Sequence, residues 1–338
     1  MSELHKFLFD GLPVRGAIVR VTDAWQEMLR RRAANTETGA YPLPVQTLLG
    51  EMVAAGLLMQ SNIKFEGALI LQIAGDGPLK LAVAEVHSSL AVRSTATLGS
   101  AARASVQDDT PLSALLNQQG QGRCAITLDP DRKLPGQQPY QGIVPLVNEA
   151  GEPLESLNVI LQQYMRQSEQ LDTVLVLAAN AQVAAGLLVQ RMPVKGQDNL
   201  AAGQLDTEAE DTLGENEDFN RIAHLASSLQ KDELLTLDVP TILRRLFWQE
   251  PLVQLPAAVD AAGAALRPHF RCTCSKERVE NMLRNLGEAE SQGIVAEQGR
   301  IQVGCEFCGQ QYLFDPVDVT ALFSGDATHP PQASRTMH

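Results

Sequence analysis

Apolar and polar positions follow two rhythms along this chain, one of period two and one of period 3.6. Phe7-Leu8-Phe9 and the run Ala17 to Val21 lie on either side of Gly11-Leu12-Pro13, which predicts two strands around a turn. Thr22 stands where a helix N-cap is wanted, and Trp25, Met28 and Leu29 share one face of a helix reaching about Arg32. After Pro44, the recurrence of Val45, Leu48, Leu49, Met52 and Val53 predicts a second helix. The rhythm then shortens. Ile63, Phe65, Gly67, Leu69, Leu71 and Ile73 alternate, Gly75-Asp76-Gly77-Pro78 supplies a turn, and Leu79, Leu81 and Val83 complete a hairpin. Val92 and its neighbours, Cys124 to Leu128 and Ile143 to Val147 predict further strands. A helix from about Pro153 to Gln167 carries Leu157, Ile160, Leu161 and Tyr164, and Thr173 to Leu177 with Ala185 to Gln190 predicts a closing strand pair. Strands interleaved with helices, without a regular βαβ rhythm, predict an α+β fold with residues 1–194 as one N-terminal α/β domain.

The pattern lapses at about Lys195. Asp198, Asp206, Glu208, Glu210, Asp211, Glu215, Glu217 and Asp218 follow with few large apolar residues, which reads as a solvated linker. Two amphipathic stripes come next: Phe219, Ile222, Leu225, Ala226 and Leu229, then Ile242, Leu243, Leu246 and Phe247, the latter behind Asp238 as a cap and Pro240 in the first turn. Residues 195–270 thus read as an acidic and helical linker. A small unit spans 271–322. It opens with Cys-x-Cys and a helix from Ser275 to about Leu286. Strands at Ile294 to Ala296 and Ile301 to Val303 are expected around Gln298-Gly299, followed by Cys-x-x-Cys-Gly and a third strand at Tyr312-Leu313-Phe314. Residues 323–338, with Pro330-Pro331, read as a disordered tail.

Composition narrows the functional classes. Hydrophobic residues are 44% of 338, enough for a core, but aromatics are only 4%, so aliphatic side chains must build it. A formal net charge of −13 argues against binding nucleic acid by neutralising phosphates. No run of about 18 apolar residues predicts a membrane span, and Met1 to Lys6 does not open a secretory signal, so a cytoplasmic address is expected. The chain contains no G-x-x-x-x-G-K-[ST], G-x-S-x-G or HExxH pattern, and nothing in it argues for an enzyme.

Four of the five cysteines fall within 37 residues, as Cys272-x-Cys274 and Cys305-x-x-Cys308. Two tight pairs of soft ligands suit a tetrahedral zinc, and Gly304 and Gly309 permit a tight turn around the second pair. A unit of ~50 residues has too little core to stand alone, so the metal would contribute much of its folding free energy. Four thiolates leave no open coordination position, which favours a structural zinc over a catalytic one. The same thiolates are open to oxidants, and Cys274 just precedes a helix N-terminus that favours its thiolate. Oxidation to two disulfides would expel the metal and unfold the unit. Spacing alone favours structural zinc over such a switch, and counting leaves three disulfide pairings open. Cys124, in a strand-like run, reads as a buried structural thiol, and His269 as a bystander. The stripes at 219–229 and 242–247 read either as ordinary packing faces or as surfaces that bind unfolded chains once their neighbour melts.

The zinc elements Cys272-Thr273-Cys274-Ser275 and Gly304-Cys305-Glu306-Phe307-Cys308-Gly309, followed by Tyr312-Leu313-Phe314, resemble those of the 33 kDa chaperonins, the redox-regulated heat-shock holdases. Phe7 to Asp10 with Arg15-Gly16, Gly75-Asp76-Gly77-Pro78, Tyr140 to Leu146, Tyr164-x-x-x-Ser168-Glu169-Gln170, Leu234-Leu235 and Arg245-Leu246-Phe247 extend the resemblance over about residues 4–318. The resemblance implies an N-terminal substrate-binding domain, a metastable helical linker and a C-terminal zinc domain. It implies one zinc per reduced chain on Cys272, Cys274, Cys305 and Cys308, and an inactive reduced form. Oxidation would form Cys272–Cys274 and Cys305–Cys308 disulfides, release zinc and unfold the zinc domain and linker. The active form, often a homodimer, would hold unfolding clients without ATP, with Phe219, Ile222, Leu225, Leu229, Ile242, Leu243, Leu246 and Phe247 in the client-binding linker. No family role attaches to Cys124. The rival reading is a zinc ribbon with a permanent structural metal that binds RNA or a protein partner through Arg271, Lys276, Arg278, Arg284 and Arg300.

Overall fold

The computed structural model describes residues 1–35, 39–99, 105–133, 136, 138–192 and 213–324, with side chains from 217 in the last span. The chain divides into two compact units, Met1–Arg271 and Cys272–His338. In the first, β1 (Glu3–Phe9) and β2 (Val14–Val21) form the opening hairpin, followed by α1 (Asp23–Ala33) and α2 (Leu43–Asn62). Thr22 precedes α1 but its side chain caps no amide. Ser2 instead secures this corner: its backbone amide donates to the Asp23 carboxylate at 2.8 Å, and its hydroxyl accepts from the Thr22 amide at 3.1 Å.

A meander follows, β3 (Gly67–Ala74), β4 (Leu79–His87) and β5 (Ala91–Leu98), then α3 (Leu112–Leu116), β6 (Arg123–Pro130), β7 (Tyr140–Pro145), α4 (Leu157–Ser168), β8 (Thr173–Ala179) and β9 (Ala184–Arg191). The expected alternation starts later than the sequence suggests. Ile63 and Phe65 precede the strand, while Gly67, Leu69, Leu71 and Ile73 point inward along β3. A register shift between Leu79 and Leu81 then turns β4 over. Leu79 is buried, but beyond the irregularity it is Ala82, Ala84 and Val86 that face the core, not Leu81 and Val83.

α2 departs most from a one-faced helix. Every residue from Leu48 to Gln60 is buried. It packs on β2, β8 and β9 on one side and on β3, β4 and β5 on the other, a helix between two sheets. Two glycines permit that approach. A Cβ at Gly50 would lie 2.4 Å from the Ala179 methyl, and one at Gly56 would lie 2.8 Å from Val86 Cγ2.

Residues 193–212, most of the expected acidic linker, lie outside the described residues. Residues 213–218, also expected in that linker, instead open α5 (Leu213–Ser227), which is followed by α6 (Lys231–Thr236), α7 (Val239–Phe247), β10 (Leu252–Leu255) and β11 (His269–Phe270). One sheet runs β10-β1-β2-β9-β8 and the other β11-β5-β4-β3-β6-β7. The stripes of α5 and α7 lie on the sheet that begins with β10. Phe219, Ile222, Leu229, Ile242, Leu243, Leu246 and Phe247 are buried with Phe7, Phe9, Ile18, Leu187 and Val189, and Leu225 packs partly buried beside them. Phe247 meets Phe9 edge-on, with ring centroids 5.0 Å apart. The expected cap of α7 is present, Asp238 accepting from the Thr241 amide at 2.8 Å with Pro240 in the first turn. Arg20 of β2 donates to the carbonyls of Leu234 and Leu235 at 2.6 and 3.1 Å, and Lys231 reaches Glu51 of α2 at 3.0 Å.

The second unit contains α8 (Lys276–Leu286), α9 (Glu288–Gln298), β12 (Ile301–Gly304), β13 (Gln311–Phe314) and α10 (Pro316–Ser324). The strand expected at Ile294 to Ala296 is part of α9. A three-residue apolar run cannot by itself separate strand from helix, and here Gly299 at φ 79° caps a helix. β12 therefore pairs only with β13, antiparallel, among the described strands. The expected tail begins too early by two residues, because 323 and 324 complete α10; residues 325–338 lie outside the described residues.

Candidate metal centre

The second unit brings all four paired cysteines together. Cys274 directly precedes Ser275, whose hydroxyl accepts from the Arg278 amide and caps α8. Cys305 and Cys308 sit in the turn between β12 and β13. That turn is closed by the Cys305 amide on the Gln310 carbonyl at 2.9 Å and the Gly309 amide on the Cys305 carbonyl at 2.8 Å. Gly309 holds φ 73°, a conformation that costs other residues a Cβ clash.

The four sulfurs lie within 4.8 Å of one another. Cys272 Sγ is 3.6 Å from Cys305 Sγ, and Cys274 Sγ is 3.4 Å from Cys308 Sγ. A tetrahedron with metal–sulfur bonds of ~2.3 Å has edges of ~3.8 Å, so the cluster is close to the size such a centre requires. The all-sulfur donor set fits a soft or borderline cation and offers no oxygen ligand to a hard one.

Backbone amides also point at the sulfurs. Burial acts upward on the Cys272 thiol, but the Cys274 amide and the neighbouring thiols outweigh it and draw it down to about 7. Burial pushes Cys305 and Cys308 up, against amides of Cys308 and Phe307 on the former and Gln310 on the latter. Crowded thiols that resist ionising together are a place where a dication would relieve the charge. Tyr312, which the sequence pattern marks only as a strand residue, stands beside Cys274, whose sulfur pushes its phenol up. Strand alternation cannot reveal such a contact, because it depends on how β13 crosses the cysteine turn.

The other candidates stay apart. Cys124 is fully buried on β6 opposite Ile73 and Val144, and burial pushes its thiol up to about 12. His269 is outside the sulfur cluster, its Nδ1 lying 3.0 Å from the Arg267 carbonyl.

With this geometry, the chain can be set beside known proteins. The family model described as Hsp33 protein matches residues 2–315. The chain belongs to the Hsp33 family. A 33 kDa chaperonin of Chromobacterium violaceum is 41% identical over 325 residues, covering 96% of this chain and 95% of that one. Another, from Methylobacillus flagellatus, is 39% identical with 97% of each chain covered. The crystal structure of a 33 kDa chaperonin from Thermotoga maritima superposes with a TM-score of 0.68 at 21% identity, covering 95% of this chain and 98% of that one, and so shares the fold. The expected α+β class is the observed one. The family and its relatives are named as chaperonins and not as enzymes, and the four-cysteine group is one that could hold a metal ion. Among the described residues no helix is long and apolar enough to cross a membrane.

Proposed function

We propose that this chaperone is a redox-regulated, ATP-independent holdase, inactive while its four cysteines are reduced and hold zinc. The observation that carries the reading is the pairing of a four-sulfur cluster with a very small core. Among the described residues, Leu283, Ile301, Phe314, Val319 and Leu322 form the buried apolar cluster of the second unit. Cys272, Cys274, Cys305 and Cys308 would hold the ion, and bound zinc supplies a charge that keeps the thiolates together and adds folding free energy. Two thiols and one peroxide give one disulfide and two waters, so two peroxides consume all four thiols. The pairs Cys272–Cys274 and Cys305–Cys308 follow the family resemblance. Sulfurs joined in disulfides no longer offer thiolate charge to a dication, and the small core is left unsupported.

The linker is the next element to give way. Residues 195–270 act as the metastable segment between the substrate-binding and zinc domains. Its release uncovers both sides of a packed interface: Phe219, Ile222, Leu225, Leu229, Ile242, Leu243, Leu246 and Phe247 on the helices, and Phe7, Phe9 and Ile18 on the sheet. Such a surface holds unfolding proteins by apolar burial, with no nucleotide involved. In this reading the oxidised form is a homodimer, the address is cytoplasmic, and neither nucleic acid nor membrane is a partner.

The test compares reduced, zinc-loaded protein with protein oxidised by peroxide under mild heat, as suppressors of aggregation of a thermally unfolding client. Suppression by the oxidised form alone is expected. Equal suppression by both forms overturns the redox reading.

A further inference from the structure

Arg15 and the stretch Tyr164 to Gln170, which the thiol chemistry does not use, meet at one cavity in the first unit, and Tyr140 and Gly142 contact Glu169 and Tyr164 at its edge. The cavity measures about 80 Å³ and lies between the end of α2, the faces of β3, β6 and β9, and the C-terminal end of α4. Met59, Leu69, Ile126, Leu128, Met165 and Leu188 give it an apolar lining. A cavity of about 150 Å³ takes a benzene ring, so this one takes a branched side chain of about three or four carbons.

Opposite charges stand at its rim. Arg15 is half-buried, and its Nε donates to Gln190 Oε1 at 3.0 Å, its Nη1 to the Asn62 carbonyl at 3.0 Å and its Nη2 again to Gln190 Oε1. Gln190 is itself 2% exposed and is held by donating to Thr173 Oγ1 at 2.8 Å. All these partners are neutral, and among the described residues Arg15 forms no ion pair. A guanidinium has five N–H groups, so two remain for a ligand. Glu169 also lines the cavity. Its Oε1 accepts from the Tyr164 hydroxyl at 2.6 Å and the Tyr140 hydroxyl at 3.1 Å, and among the described residues it too forms no ion pair. Gly142 makes room for the Tyr164 ring, since a Cβ there would lie 2.4 Å from Tyr164 Cε2.

We propose that this cavity binds a free aliphatic α-amino acid of the size of valine, leucine or isoleucine. The carboxylate takes the two remaining N–H groups of Arg15, the ammonium takes Glu169, and the side chain enters the apolar lining. An apolar pocket with a few convergent polar groups is the general form of a small-molecule site, and the separated cation and anion select a zwitterion. The cavity is already formed with the four thiols free and α5 to α7 packed on their sheet, so the thiol switch does not gate it. A client segment, whose binding the switch controls, is therefore the poorer occupant.

Calorimetric titration of the full reduced, zinc-loaded chain tests this with L-leucine, with isovalerate, which lacks the ammonium, and with isoamylamine, which lacks the carboxylate. The expected result is saturable one-site binding of leucine, at least about tenfold tighter than either analogue. Glu169→Gln, an exposed change, should weaken leucine at least about fivefold and leave isovalerate unchanged. Arg15→Gln should abolish binding. Because Arg15 also caps the end of α2, Leu171→Trp, which fills the mouth without altering charge, is the second variant and should abolish binding in a chain of unchanged melting temperature. Absence of saturable leucine binding up to about 20 mM, where even a weak site of Kd ~1 mM would be full, overturns the proposal. Isovalerate binding as tightly as leucine, or indifference to Glu169→Gln, overturns it equally.

Discussion

In the first unit a twenty-residue helix is buried between two sheets, and its core extends through dozens of aliphatic side chains. In the second, five apolar side chains make the buried cluster among the described residues, and four sulfurs lie within 4.8 Å of one another. Both units are folded here, but their stability has different sources. Apolar burial of about 25 cal/mol per Å² is insensitive to oxidants. A thiol cluster is not. In the proposed function, this contrast couples a durable scaffold to a part that responds to its chemical surroundings.

The contrast is most exposed to a change at the sulfurs. Cys305→Ser should remove most of the ~10 kcal/mol or more that a structural zinc site adds, and the second unit should unfold. Limited proteolysis should then cut within 195–324, the proposed linker and the second unit, while the domain of residues 1–194 stays intact. Protection of the second unit in that variant would break the comparison. A cavity in the first unit should cost less and ignore metal. Leu57, fully buried on α2, should lose about 2–5 kcal/mol on change to Ala. The melting temperature should fall by the same amount with and without chelator.

The smallest effect concerns how α6 is held. Glu51 is 7% exposed, and Lys231 is its hydrogen-bonded ion-pair partner. Burial pushes the Glu51 carboxyl above its ordinary 4.5, with Lys231 pulling the other way. A carboxyl raised in the folded state binds its proton more tightly there than in the unfolded state. Its contribution therefore favours folding increasingly as pH falls through the raised value toward 4.5, and disfavours it above. Lys231→Met should cost about 1–2 kcal/mol at neutral pH by stranding a buried carboxylate, discounted because the lysine itself is largely exposed. Glu51→Gln should stabilise the unit at neutral pH and flatten the rise of its urea midpoint as pH falls toward 4.5. A Glu51→Gln profile parallel to that of the unchanged chain would remove the carboxyl from the account.

Much of this was legible in the residues. The period-two runs gave the strands around Leu69 and Leu175, Asp238 and Pro240 marked the start of α7, and the two tight cysteine pairs marked the site. What escaped did so for physical reasons. A helix apolar on all sides has no stripe to show that it lies between two sheets, as α2 does. A register shift such as that after Leu79 reverses which residues face inward without changing their types. Ile294 to Ala296 is too short a run to carry a period. Which sulfur approaches which, and the contact of Tyr312 with Cys274, depend on tertiary geometry that spacing does not encode.

The central claim is that the fold of the second unit depends on the state of its four thiols. Zinc release and far-ultraviolet circular dichroism, followed together as peroxide is added at growth and heat-shock temperatures, test it most directly. The account predicts loss of one zinc per chain together with loss of helix, both reversed by dithiothreitol and zinc. Retained zinc with an unchanged spectrum would contradict it and leave the four cysteines as a permanent structural site.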